Sequence, residues 1–128
     1  MKKLLILLLA VMLLTACGQK AEKNREAVYE NITAEEAKQI MDTEEGYVIL
    51  DVRTQEEYDQ GHIPGAILIP DTEIKAKAEN VLAEKTQLIL VYCRSGRRSK
   101  LASEALVELG YTNIKEFGGI IDWPYETE

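Results

Sequence analysis

Two short apolar runs set the limits on what this chain can fold into. Residues 47–50 (Tyr47-Val48-Ile49-Leu50) and 88–92 (Leu88-Ile89-Leu90-Val91-Tyr92) are apolar at every position, with no alternation. A strand of that kind is buried on both faces, so the sheet it joins must be covered by helices on both sides. Shorter runs at 66–69 and 113–117 supply further strands, and helical patterns separate them. Alternation of this sort predicts an α/β domain with a mainly parallel central sheet and helices on both faces.

The punctuation between the runs is explicit. Thr33 with Glu36 is a capping-box pattern and predicts a helix from Ala34 to about Met41, with Ile32 packing back against it. Gly46 turns the chain into the strand at 47–50. Thr54 with Glu57 is a second capping box, opening a short helix through Tyr58. Gly61-His62-Ile63-Pro64-Gly65 reads as a turn, and Pro70 stops the strand at 66–69. Residues 71–82 read as a helix with Ile74, Ala78, Val81 and Leu82 on its inner side. A helix over 99–109 is ended by Gly110. Gly118-Gly119 is expected to break the last strand, and 120–123 closes the domain.

At 128 residues there is room for one domain, and the first stretch does not belong to it. Lys2 and Lys3 precede an apolar run over 4–14, followed by Thr15-Ala16-Cys17. A charged start, a short apolar core and small residues before a cut site describe a secretory signal peptide. The run falls short of the ~20 residues a helix needs to cross a bilayer. Leu14-Thr15-Ala16-Cys17 also resembles a bacterial lipobox, which implies cleavage before Cys17 and lipidation of its sulfur. The expected organisation is a signal peptide over 1–16, a lipid-anchored polar tether over 17–31 and the folded domain over 32–128. The expected location is the outer side of the cytoplasmic membrane or the periplasm, with the membrane reached through the lipid on Cys17.

The chain has two cysteines and one histidine. With Cys17 lipidated, Cys93 is a lone thiol, and no disulfide is expected. One available thiol and one histidine make no ligand cluster, so no metal and no other cofactor is expected. The net charge of −7 argues against a nucleic-acid partner. Against that acidic background, three arginines gather in one place.

That place is Cys93-Arg94-Ser95-Gly96-Arg97-Arg98-Ser99, on the turn between the strand at 88–92 and the helix expected from Ser99. In parallel sheets, reactive groups lie at the carboxyl ends of strands. Asp51 is expected at one such end and Cys93 at another. A free thiol at pKa ~8.5 is only about 3% ionised at pH 7. Making it mostly thiolate needs ~2.7 kcal/mol, and one cation at ~4 Å supplies ~1–4 kcal/mol. Arg94, Arg97, Arg98 and the adjacent helix N-terminus are therefore expected to hold Cys93 as a thiolate. The backbone N–H groups of Arg94 to Ser99, curled by Gly96, form the expected anion cradle. Ser99 is expected to cap the helix, with its hydroxyl also able to face the site. Asp51 is read as satisfying nearby backbone N–H groups, and Arg53 as pairing with a carboxylate such as Glu57. His62 is read as part of a turn.

Taken together, these residues resemble the rhodanese family of sulfurtransferases. The resemblance covers about 32–123 and rests on four stretches in order. They are Ile49-Leu50-Asp51-Val52-Arg53; Glu56-Glu57-Tyr58 with Gly61-His62-Ile63-Pro64-Gly65-Ala66; the Cys93 loop; and Gly118-Gly119 with Trp123. It implies that Cys93 takes a sulfane sulfur from an anionic donor, such as thiosulfate or a polysulfide, as a persulfide. A thiol or cyanide then accepts that sulfur. It further implies that Arg97 and Arg98 bind the donor, while Arg94 instead meets solvent or partners. A monomer is the default assembly.

Three rival readings share parts of this pattern. Cysteine phosphatases carry arginine as the sixth residue after the cysteine, where this chain has Ser99. The loop is thus one residue short of the phosphate-sized form. A non-catalytic adaptor fits the fold, although adaptors usually lack the cysteine. A carrier passing the persulfide to a partner protein uses the same Cys93 chemistry.

Overall fold

A computed structural model describes residues 28–128. The expected signal peptide, Cys17 and most of the expected tether fall outside the described residues. The elements run β1 (Glu30–Asn31), α1 (Ala34–Thr43), β2 (Val48–Asp51), α2 (Gln55–Gln60), β3 (Ile67–Leu68), α3 (Ile74–Val81), β4 (Ile89–Cys93), α4 (Arg97–Glu108) and β5 (Ile114–Gly119). Their sheet has the order β1-β5-β4-β2-β3, and every pairing is parallel.

Strand alternation decides what each face buries. In β4, Ile89, Val91 and Cys93 point to the side covered by α3 and α4. There they join Leu50, Ala78, Leu82, Ala102, Leu106 and Tyr111. Leu90 and Tyr92 point to the other side, with Ile49, Ala37 of α1, Ile63, Phe117 and Trp123. All five β4 residues are buried, as the unbroken apolar run requires. Both threonine caps form. Thr33 accepts from the Glu36 N–H, and Thr54 with Glu57 makes the full reciprocal box.

Several expectations about the elements do not hold. Glu30–Asn31 is not tether: it pairs with Lys115 and Glu116 of β5 as an edge strand. A two-residue strand carries no periodicity, so only its partner reveals it. Residues 71–82 are not one helix, because a single 3-10 turn over Asp71–Glu73 precedes α3. Ile74, Ala78 and Leu82 are buried as expected, but Val81 is 52% exposed.

Lastly, Gly118-Gly119 does not break β5. Val91 pairs with Glu116 and Cys93 with Gly119, so β5 holds one residue more than β4 between these pairs. Gly118 absorbs this bulge at φ +86°, and the strand continues to Gly119. Here glycine permits the irregularity instead of ending the element.

Candidate active site

Cys93 is the last residue of the central strand, a free thiol only 1% exposed. The chain behind it curls so that the Gly96 N–H donates to Cys93 Sγ at 3.0 Å. Gly96 sits at φ +106°, which an L side chain rarely adopts. It occupies the N-cap position of α4, so the helix begins at Arg97 rather than Ser99. Its N-terminal end therefore faces the sulfur, where a negative charge is favoured. The end of β5 holds this loop from behind. The Ile121 N–H donates to the Arg94 carbonyl, and a Cβ on Gly119 would fall inside that same carbonyl.

Ser99 is not the cap. It lies one turn into α4, fully buried, and its Oγ is 3.3 Å from Cys93 Sγ. The same oxygen is 2.6 Å from Glu116 Oε1 and 3.0 Å from the Gly96 carbonyl. Glu116 is 2% exposed and also accepts from the Gly118 N–H at 2.8 Å. The sequence reading missed Glu116, although a signal was present. It stands two residues after Ile114 in a strand, hence on the same face as the Ile114 side chain and Cys93. A carboxylate at an inward strand position needs a polar partner.

The three arginines differ. Arg94 and Arg97 are exposed, as is Ser95. Among the described residues, no carboxylate pairs with either arginine. Arg98 is half-buried and grips Glu57 with both Nη atoms, at 2.6 and 2.9 Å. That grip, more than the accompanying capping bonds, holds the Glu57 carboxyl down to about 2. The pair ties the start of α4 to the start of α2, and it leaves the uncompensated charge at the loop to Arg94 and Arg97.

Arg53 does not pair with Glu57. Its Nε and Nη2 bind Asp51, and Nη2 also donates to the Gly61 carbonyl at 2.7 Å. Asp51 accepts from the Arg53 N–H and from the Tyr92 hydroxyl, which in turn accepts from the Ile63 N–H. Burial first, then the Asp51 carboxylate, pushes the Tyr92 phenol upward, so it stays protonated as a donor. The network joins the end of β2 to Tyr92, the residue before Cys93, and to the turn at 61–63. His62 stacks on Tyr58 with ring centroids 3.9 Å apart, and its Nδ1 meets the Tyr58 carbonyl, as befits a turn residue.

A cleft of about 330 Å³ opens between Arg53, Glu57, Arg94, Ile121 and Thr127. A larger hollow of about 790 Å³ lies on the α1 side among Tyr47, Ile63, Trp123 and Tyr125. No residue of the Cys93 loop lines the larger one, so its size carries no chemistry. A buried thiol under a backbone donor, a helix N-terminus and free arginines can attack an electrophilic sulfur while an oxyanion is held beside it.

Comparison with known proteins agrees with this geometry. The family model described as the rhodanese-like domain matches residues 33–124. The chain is 42% identical over 73 residues to the thiosulfate sulfurtransferase PspE of Escherichia coli (strain K12), covering 57% of this chain and 70% of that protein. It is 35% identical over 88 residues to a sulfurtransferase of Allochromatium vinosum, covering 68% of this chain and 79% of the relative. A solved structure, a rhodanese with anions from E. coli, superposes with a TM-score of 0.60 at 38% identity. That match covers 64% of this chain and 96% of the other.

Proposed function

The chain belongs to the rhodanese-like sulfurtransferase family, and on that premise we propose that it moves a sulfane sulfur through a persulfide on Cys93. In the first half-reaction the Cys93 thiolate attacks the outer sulfur of an anionic donor. With thiosulfate, the S–S bond breaks and sulfite leaves with the bonding pair. In the second, a thiolate or cyanide attacks the terminal persulfide sulfur, and the Cys93 thiolate departs. The Gly96 N–H and the α4 N-terminus stabilise negative charge on sulfur. Arg94 and Arg97 are the cations free to bind the donor's oxygens, and Arg98 adds its field while bound to Glu57.

The observation that carries this reading is the 3.0 Å contact from the Gly96 N–H to a buried, unpaired Cys93 sulfur. An inert core cysteine has no need of a backbone donor. The test is the intact mass of the protein after exposure to thiosulfate. The expected result is a gain of one sulfur atom, absent in Cys93→Ala and reversed by cyanide with release of thiocyanate. No gain with thiosulfate or polysulfide would overturn it.

The exposed Arg94, Ser95 and Arg97 also suit a macromolecular partner. This supports a second reading in which the persulfide is delivered to a protein acceptor. The leader over 1–16 supports an exported enzyme anchored through Cys17. The mass of the mature protein tests that, with a diacylglycerol adduct on Cys17 expected.

A further inference from the structure

Ser99 has one hydroxyl proton and three oxygen acceptors within reach. They are Glu116 Oε1 at 2.6 Å, the Gly96 carbonyl at 3.0 Å and the Gly118 carbonyl at 3.4 Å. The carboxylate is the strongest of these acceptors and the nearest. While Glu116 holds that proton, Ser99 presents only a lone pair to Cys93 Sγ, 3.3 Å away. A lone pair there welcomes an S–H donor and opposes a bare thiolate. The Gly118 N–H donates to the same Glu116 Oε1 at 2.8 Å and holds that oxygen in place. Hydrogen-bond counting thus favours the proton order Cys93 to Ser99 to Glu116 while the sulfur carries its proton.

We propose that Glu116 is a positioning residue that, through Ser99, favours the thiol form of Cys93 and so sets the pH range in which the cysteine reacts. The Gly96 N–H and Arg98 act in the opposite sense, favouring the thiolate. The α4 N-terminus and the exposed Arg94 and Arg97 of the same loop act on that side too. The loop therefore balances one buried carboxylate against backbone donors and cations. Further charges bear on these groups. Arg98 is shared with Glu57 of α2 and feels Asp71. Tyr29, ahead of β1, stays neutral because burial, then Glu104 and Glu116, push its phenol up. When the thiol ionises, its proton leaves to solvent. Ser99 can then turn its hydroxyl from Glu116 to the sulfur, and the Gly118 N–H keeps the carboxylate satisfied.

The inference rests on the sulfur-transfer reading for its purpose but not for its test. The measurement is the rate of Cys93 alkylation by iodoacetamide, a neutral reagent, across pH 5 to 10 on the full chain. Glu116→Gln keeps the shape and removes the charge. Its profile is expected to move to lower pH with an unchanged high-pH plateau, raising the rate at pH 6 about tenfold. Glu116→Asp should fall back toward the parent profile, because the charge returns. Ser99→Ala should move the profile the same way as Glu116→Gln, and it serves should the Gln variant fail to fold. A merely structural role would raise or lower the plateau without moving the midpoint. That outcome, a superimposed profile or a shift to higher pH would each overturn the proposal. Failure of the parent protein to gain sulfur from thiosulfate would instead overturn the sulfur-transfer reading, while the alkylation profiles still decide the part played by Glu116.

Discussion

Glu57 does two jobs at once, closing the α2 capping box and holding Arg98. Its carboxyl lies at about 2 when folded, below the ordinary value of 4.5. Because the folded value is depressed, the stabilisation is complete above about pH 4.5 and drains away as pH falls toward 2. Glu57→Gln should cost about 1 kcal/mol at neutral pH for a partly exposed pair. It should also lose less stability than the parent between pH 4.5 and 2; urea melts at stepped pH measure both. At Tyr92, a single hydroxyl serves Asp51 and the Ile63 N–H. Tyr92→Phe leaves both buried groups short of a partner and should cost about 1–3 kcal/mol, read from the urea midpoint. Which arginine grips which carboxylate was not legible from spacing. Arg53 and Glu57 sit four apart, a helical distance, but Arg53 precedes α2 and its side chain turns back to Asp51. The placement of Cys93 was legible because it depends on local context, a strand end followed by a glycine-curled, arginine-rich turn.

At the scale of elements, the site is a junction of three: the end of β4, the start of α4 and the bulged end of β5. The β5 contribution is a close backbone approach, with Gly119 against the Arg94 carbonyl. Gly119→Ala forces the loop outward and should cost about 1–3 kcal/mol, with the proposed sulfur uptake from thiosulfate lost. Gly46→Ala is the comparison. It strains a positive φ, which Gly119 does not have, but nothing lies within 4 Å of the added Cβ, so sulfur uptake should be unchanged. Equal loss of sulfur uptake in both variants would contradict this account. The Thr54–Glu57 box was readable because its geometry is local, as was the burial of 88–92. The β5 bulge was not, since a glycine pair signals departure from regularity without saying whether the strand ends or kinks.

For the whole molecule, the sheet order β1-β5-β4-β2-β3 places the most apolar strand in the middle and a two-residue strand at each edge. The β1 edge matters to the site. β1 pairs with Lys115 and Glu116, and the Ile32 N–H donates to the Glu116 carbonyl. A truncated chain beginning at Ile32 loses the β1 pairings. It should be about 2 kcal/mol less stable than one beginning at Val28, from two to three lost hydrogen bonds; their denaturant midpoints decide. Leu90→Ala, in the middle of the sheet and fully buried, should cost about 2–5 kcal/mol. The sequence by itself determined the α/β class, both threonine caps, the burial of β4 and the cysteine loop. Each of these is written within a few consecutive residues, through periodicity, capping chemistry or turn glycines. Only the tertiary structure decided the Arg53–Asp51 and Arg98–Glu57 pairings, the edge strand, and the meeting of Glu116 with Ser99 beneath Cys93. Those contacts join residues far apart in the chain or side chains turned away from their sequence neighbours, and only the packing of helix ends and loops against the strand ends brings them within hydrogen-bond reach.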